Sequence, residues 1–252
     1  MFMRFVQLKL NPKNISEFKE FYENEVTQEL KNTDGCLFAG LIKSEPNEQE
    51  FISLTFWQSL EHAENYESRG AYKKLLEKTK QFLSESAEWK VQLSENMELK
   101  YGPVEEEPVI EKFIVAVQNK KSDDLIIDSK NMFIRILSIR IENDKLDEFK
   151  KLYSDIIVPS LKGIASCRYM FLIESVNAEN EFISATIWDS KEDADEYESS
   201  EKFRELTEKV QHTFSKLYLW KMSFEKEYGA KIQTSEDFKV QRYDFIVGKS
   251  FS

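Results

Sequence analysis

The residues of this chain that could do chemistry come in pairs. Trp57 and Trp188 set the spacing, 188 − 57 = 131 residues, and the same offset relates Ser53 to Ser184, Thr55 to Thr186 and Arg4 to Arg135. An indole is a large, flat apolar wall with one N–H donor, able to stack on an aromatic molecule. The serine hydroxyls can orient a substrate oxygen, although a hydroxyl is a poorer oxyanion donor than an amide. Arg4 interrupts a strand face otherwise made of Val6, Leu8 and Leu10, and Arg135 stands at the same place in the second half. A guanidinium there can neutralise a phenolate or a carboxylate. Each has a structural alternative: a core tryptophan closing a junction between strand and helix, and an ion pair between arginine and a glutamate of the other domain.

The pairing extends along the chain. Phe51-Ile52-Ser53-Leu54-Thr55-Phe56-Trp57 returns as Phe182-Ile183-Ser184-Ala185-Thr186-Ile187-Trp188, and the offset runs without a gap from Met1/Met132 to Trp89/Trp220. Solenoid units are roughly 20 to 50 residues long, so copies of this size are small domains instead. The spacing predicts a first domain over 1–117, a connector over 118–131 and a second domain over 132–252, each domain carrying an added C-terminal strand.

The elements that must position these residues also recur. In the first copy the pattern predicts a strand from Phe2 to Leu10, then a helix from about Ile15 to Leu30 with Ile15, Phe18, Tyr22, Val26 and Leu30 on one stripe. Asn14 and Glu17 read as a capping box. Asp34-Gly35 turns into a hairpin whose second strand ends at Trp57, and Ser59 reads as the N-cap of a helix broken near Gly70. A final strand is expected between Trp89 and Tyr101. The second copy repeats the order, with a hairpin from Cys167 to Trp188, a helix from Ser190 to about Phe214 and a strand near Leu217 to Phe224.

This β-α-β-β-α-β order is the ferredoxin-like, α+β arrangement. Ile52, Leu54 and Phe56 on one side of the third strand, and Phe51, Thr55 and Trp57 on the other, make both sheet faces largely apolar, so the two domains are expected to pack sheet to sheet. Val109 to Val117 and Phe245-Ile246-Val247 read as added edge strands. Tyr66 and Tyr197 read as helix residues with an exposed polar tip.

Composition narrows the class. At 252 residues, 41% hydrophobic and 13% aromatic, the chain can bury two modest cores. A net charge of −11, with lysines interspersed among glutamates, lacks the basic footprint that nucleic acid requires. No apolar stretch approaches the ~20 residues needed to span a bilayer, and Met1-Phe2-Met3-Arg4 opens no signal-like segment, so neither nucleic acid nor membrane is expected and the cytoplasm is the expected location. Cys36 and Cys167 fit two small buried hydrophobes in a reducing compartment, with pairing across the domains as the other reading. His62 and His212, in charged neighbourhoods, read as solvated surface residues. With no zinc-type cluster, phosphate-binding loop, dinucleotide fingerprint or Ser-His-Asp set, no metal and no cofactor is expected.

Phe56-Trp57-Gln58-Ser59-Leu60-Glu61 and Ile187-Trp188-Asp189-Ser190-Lys191-Glu192, each a strand ending in Trp-x-Ser with a helix directly after it, resemble the antibiotic biosynthesis monooxygenase domain over about 90 residues per copy. That resemblance implies a dimeric α+β barrel, here an intramolecular pseudo-dimer, and a range of activities: cofactor-free oxidation of aromatic polyketides, oxidative haem degradation and quinol oxidation. It also implies a haem-ligating histidine on the second helix, where this chain has Leu76 and Thr207, and an asparagine on the first strand, where Phe5-Val6-Gln7 and Ile136-Leu137-Ser138 stand. The resulting expectation is a cofactor-independent monooxygenase for an aromatic or quinone-like small molecule, with Trp57, Trp188, Ser53, Ser184, Arg4 and Arg135 as the catalytic set. The alternatives are a small-molecule-binding or stress-associated module without chemistry, and an atypical haem-binding member lacking the histidine. Further homo-oligomerisation is left open.

Overall fold

The computed structural model describes residues 1–93, 99–105, 108–120, 126–127, 132–178, 180–229, 231, 233–234 and 238–251, with backbone alone for 85–93 and 99–105. The first copy runs β1 (Phe2–Lys9), α1 (Ile15–Phe21), a π-helical turn (Tyr22–Val26), α2 (Thr27–Lys31), β2 (Cys36–Ser44), β3 (Glu50–Trp57), α3 (Leu60–Ser68), α4 (Gly70–Lys80), β4 (Glu85–Leu93), β5 (Leu99–Glu105) and β6 (Val109–Gln118). The second runs β7 (Phe133–Arg140), α5 (Leu146–Leu152), a second π turn (Tyr153–Ile157), α6 (Val158–Lys162), β8 (Cys167–Ser175), β9 (Glu181–Trp188), α7 (Lys191–Ser199), α8 (Glu201–Val210), α9 (Lys216–Tyr228) and β10 (Lys239–Ser250).

Each copy builds a four-stranded antiparallel sheet, β6-β1-β3-β2 and β10-β7-β9-β8. β6 also pairs with β8, and β10 with β2, which closes one eight-stranded barrel from both copies. The two ferredoxin-like domains thus form a pseudo-dimer within one chain, as the pattern of the third strand predicts. Ile52, Leu54 and Phe56 point into the barrel, where they meet Phe38, Phe113, Phe171 and Phe245 in one core. Phe51 and Trp57 point the other way, beneath the helices of their own copy. The period-two alternation of a strand makes both placements from one run of sequence.

Three expectations are corrected. β6 and β10 are not edge strands, because the other copy satisfies the backbone groups that an edge would leave bare. They are the fourth strands of the two ferredoxin units, a role expected of Trp89–Tyr101 and Leu217–Phe224. The former region instead contributes to the separate β4–β5 hairpin, and Leu217–Phe224 is helical within α9. Ser215 caps α9 by accepting from the Tyr218 amide, and Gly229 at φ 67° ends it. A short apolar run does not distinguish helix from strand by periodicity alone. The capping box at Asn14 is absent: the chain enters α1 through a 3-10 turn, and the Asn14 amide donates to the Gln81 carbonyl at 2.9 Å.

Ser59 does cap α3, accepting from the His62 amide. Gly35, at φ 76°, is required by both its conformation and its neighbour, since a Cβ there would lie 2.2 Å from the His62 ring.

Phe56 is 1% exposed and packs edge-on against Phe171 of the other copy at 5.5 Å. Phe56→Ala should cost about 3–5 kcal/mol by opening a cavity in the shared core. Urea unfolding followed by near-UV and far-UV circular dichroism should still show one transition. Two separated transitions would show that the copies fold independently.

Candidate functional site

The register of the first and third strands assembles the site. Arg4 lies opposite Thr55 and Val6 opposite Ser53, as Arg135 lies opposite Thr186 and Leu137 opposite Ser184. All face the helices, not the barrel interior. Between sheet and helices each copy forms a small, partly open cavity: about 60 Å³ in the first, lined by Arg4, Tyr22, Ser53, Tyr66, Tyr72 and Leu76 among others, and about 40 Å³ in the second, lined by the equivalent Arg135, Tyr153, Ser184, Tyr197, Phe203 and Thr207. Two larger grooves, about 320 and 230 Å³, have more polar linings and contain none of the sequence-predicted site residues.

The arginines are the strongest electrostatic feature. Arg4 is 3% exposed; its Nε donates to Glu67 at 2.7 Å and its Nη2 to the Tyr72 hydroxyl at 2.6 Å. Lys112 holds the other oxygen of Glu67 at 2.7 Å. Arg135 donates through Nε to Glu198 at 3.0 Å and stacks over the Phe203 ring at 4.7 Å, while Arg242 holds the other oxygen of Glu198 at 2.9 Å. The glutamate partner expected of each arginine therefore exists, but within the same copy, because α3 and α7 cover the sheet face from which the arginine projects.

The hydroxyls are largely engaged. Tyr22 donates to the Gly40 carbonyl at 2.9 Å, so the Ser53 hydroxyl, also at 2.9 Å, donates to Tyr22. Tyr153 and Ser184 share the equivalent bond at 2.8 Å. The π turns carry Tyr22 and Tyr153 to these positions; an inserted turn of this kind re-aims a side chain without ending the helix. Burial pushes Tyr22, Tyr66 and Tyr153 far above the ordinary phenol range and Tyr197 up to about 12. At neutral pH none of these tyrosines is a base.

Trp57 and Trp188 stand outside the cavity linings, fully buried. Their indole N–H groups donate to Thr55 and Thr186 at 2.9 and 2.8 Å, and their rings pack on Tyr66 and Tyr197 at 5.3 and 5.0 Å. The geometry thus separates them from Arg4, Ser53, Arg135 and Ser184, which do meet at the cavities. Tyr66 and Tyr197 are 3% and 7% exposed, so their tips are not in solvent as expected: the ring that covers the tryptophan also lines the cavity. Tyr22, Tyr66, Tyr72 and their counterparts were missed as site residues. Their recurrence at the 131-residue offset was the available signal, but the sequence does not show that an aromatic on an amphipathic helix lines a void.

His62 bonds Ser59 at 2.7 Å and is only half-buried, not fully solvated, and exposed His212 bonds Glu148 at 2.9 Å. Both lie outside the cavity linings. Cys36 and Cys167 are free thiols, and burial pushes both up to about 12. The residues present do not fit a haem: Leu76 and Thr207 bring no imidazole, and neither cavity lining contains a histidine to ligate its iron. Among the described residues there is no group of three or more His, Cys, Asp and Glu side chains placed to hold a metal, and no helix long and apolar enough to cross a membrane.

A sequence profile of the antibiotic biosynthesis monooxygenase family matches residues 1–78 and 132–209, more than half of the chain. The chain belongs to the antibiotic biosynthesis monooxygenase family. Both matched segments of this family member stop short of the region where its two copies diverge into β4–β5 and α9. No curated protein sequence matches the chain. Among solved structures it is similar to a protein from Lactobacillus acidophilus NCFM assigned as a monooxygenase, at TM-score 0.67 and 9% identity, covering 99% of this chain and 95% of that one. A protein of the same assignment from Fusobacterium nucleatum gives 0.68 at 10% identity, covering 99% and 94%, and an anthrone oxidase-like protein gives 0.59 at 11%, covering 99% and 92%. At these identities the likeness shows the fold alone, over nearly the whole of each chain.

Trp57→Phe and Trp188→Phe should each cost about 1–3 kcal/mol, through lost indole contacts and the lost N–H bond to Thr55 or Thr186. Denaturant midpoints measure this, and an unchanged midpoint in both would show that the indoles are not part of the core. Titration with hemin should produce no stoichiometric Soret band of histidine-ligated iron; a one-to-one band lost in His62→Ala or His212→Ala would reverse that reading.

Proposed function

We propose that this protein is a monooxygenase-type oxidoreductase that oxidises a small, electron-rich aromatic or quinol-like molecule with dioxygen at the cavities between sheet and helices. The observation that carries this reading is a nearly buried guanidinium, Arg4 or Arg135, facing an otherwise largely apolar void in each copy of a family whose activities include such oxidations. The lining offers no neutral-range base, since burial keeps its tyrosines protonated. The substrate must therefore ionise readily, and a desolvated arginine lowers the pKa of a bound phenol or enol by stabilising its oxyanion. The electron-rich carbon then reduces dioxygen directly. For an activated methylene group, the methylene and one dioxygen give one carbonyl and one water. One oxygen atom enters the carbonyl, the other leaves as water with both methylene hydrogens, and all electrons come from the substrate. Ser184, whose pair with Tyr153 keeps a proton to donate, would orient the substrate oxygen in the second copy, whereas the Ser53 hydroxyl is committed to Tyr22; Trp57 and Trp188 would keep the threonines and tyrosines of the wall in place.

Cavities of about 40 and 60 Å³ hold one or two waters, not an aromatic ring. Substrate access therefore requires α4 or α8 to swing outward, and the extended residues Arg69 and Ser200, which break the helical layer, are the natural hinges. The second reading, a binding module without turnover, is favoured by the polar groups of the first cavity, which are already engaged within the protein.

Oxygen uptake with an anthrone or a naphthohydroquinone separates the two. Turnover should place one atom of labelled dioxygen in the product for an anthrone, and Arg135→Lys should lower kcat/KM about 10²-fold, because an ammonium cannot reproduce the fork. Saturable binding with no oxygen uptake would leave the binding module.

A further inference from the structure

At the buried arginine the two cavities differ in one hydrogen-bond acceptor. In the first, the guanidinium of Arg4 is engaged twice, by Glu67 through Nε and by the phenol of Tyr72 through Nη2. The second has Phe203 where the first has Tyr72. Arg135 keeps its Nε bond to Glu198, yet its buried Nη2 has no hydrogen-bond partner among the described residues. A buried N–H group left unpaired costs about 1–3 kcal/mol, more when the group is charged, so the arrangement is held by the fold and is relieved by whatever supplies an acceptor. A second difference points the same way. The Tyr22 hydroxyl is committed to the Gly40 carbonyl, whereas in the second copy the Tyr153–Ser184 pair has one hydroxyl proton more than its own bond uses.

We infer that the second cavity is the ligand site of the chain and that it takes an aromatic molecule carrying an anionic oxygen, a phenolate or carboxylate, whose oxygen occupies on Arg135 the place that the Tyr72 hydroxyl occupies on Arg4. The inference rests on reading these cavities as substrate sites. In the first copy the protein supplies the phenol itself, 2.6 Å from the guanidinium, and so shows the geometry that a ligand oxygen would adopt. Phe203 supplies no acceptor there while keeping the ring face over which Arg135 stacks, so a ligand oxygen reaches the Nη2 once α8 has swung outward. At the arginine, Tyr72 against Phe203 thus separates a self-satisfied copy from a receptive one.

Benzoate is a suitable probe because its binding does not depend on turnover. Calorimetric titration of the intact protein should give one site per chain. Phe203→Tyr should weaken that site at least 10-fold by rebuilding the Tyr72 arrangement, and Tyr72→Phe should raise the stoichiometry to two by freeing Arg4. Thermal melts establish that each variant is folded. Two equal sites in the wild type, no saturable binding, unchanged affinity in Phe203→Tyr, or a stoichiometry of one in Tyr72→Phe would each overturn the inference. Oxygen uptake measured on the same proteins keeps the two claims apart. Turnover that persists in Phe203→Tyr sustains the oxygenase and overturns the single site, whereas one-site benzoate binding without turnover in any variant does the reverse.

Discussion

A four-stranded sheet with two apolar faces cannot stand alone in water, and the helices of each copy cover only one of its faces. The face carrying Ile52, Leu54 and Phe56 is buried because the other copy lays an equivalent face against it, producing one aromatic-rich core inside a closed barrel. β6 and β10 complete the closure by hydrogen bonding to both copies, so neither sheet keeps an open edge at its fourth strand. Every other feature of the molecule hangs on this constraint. It commits the barrel interior to structure and leaves the helix-facing side of each sheet, from which Arg4 and Arg135 project, to form a small cavity in both copies.

On that side, burying an arginine demands compensation. Glu67 and Glu198 balance the charges, and a second cation on each glutamate, Lys112 or Arg242, keeps the carboxylate oriented. Satisfying the remaining N–H groups is a separate matter from balancing charge. The first copy does so with Tyr72; the second does not, and the difference lies in a single hydroxyl. The tandem arrangement permits this, since two copies in one chain can diverge while their shared barrel stays intact. The same freedom is visible after Ser84 and Ser215, where one copy continues into a hairpin and the other into a helix.

Much of the fold was legible because its signals are local. The 131-residue repeat, the alternation in the third strand, the Ser59 cap and the break near Gly70 all depend on neighbours within a few residues. The role of the fourth strand was not, because whether Val109–Val117 is an edge or a seam depends on a pairing partner far along the chain. The apolar run Leu217–Phe224 was ambiguous for a different reason: it is short enough for either period, and packing of Tyr218 against Phe238 and the second core decided for helix.

For the site, the sequence determined which residue types recur: arginine on the first strand, serine and threonine on the third, tryptophan at its end. It also determined the family. Tertiary structure decided which of them share a space. Arg4 with Ser53, and Arg135 with Ser184, meet at cavities, while the tryptophans are spent on threonine and tyrosine in the core. A side chain's type states what it can donate or accept, but whether that capacity is already used depends on atoms brought near it from 63 to 68 residues away, and only the folded chain sets those distances.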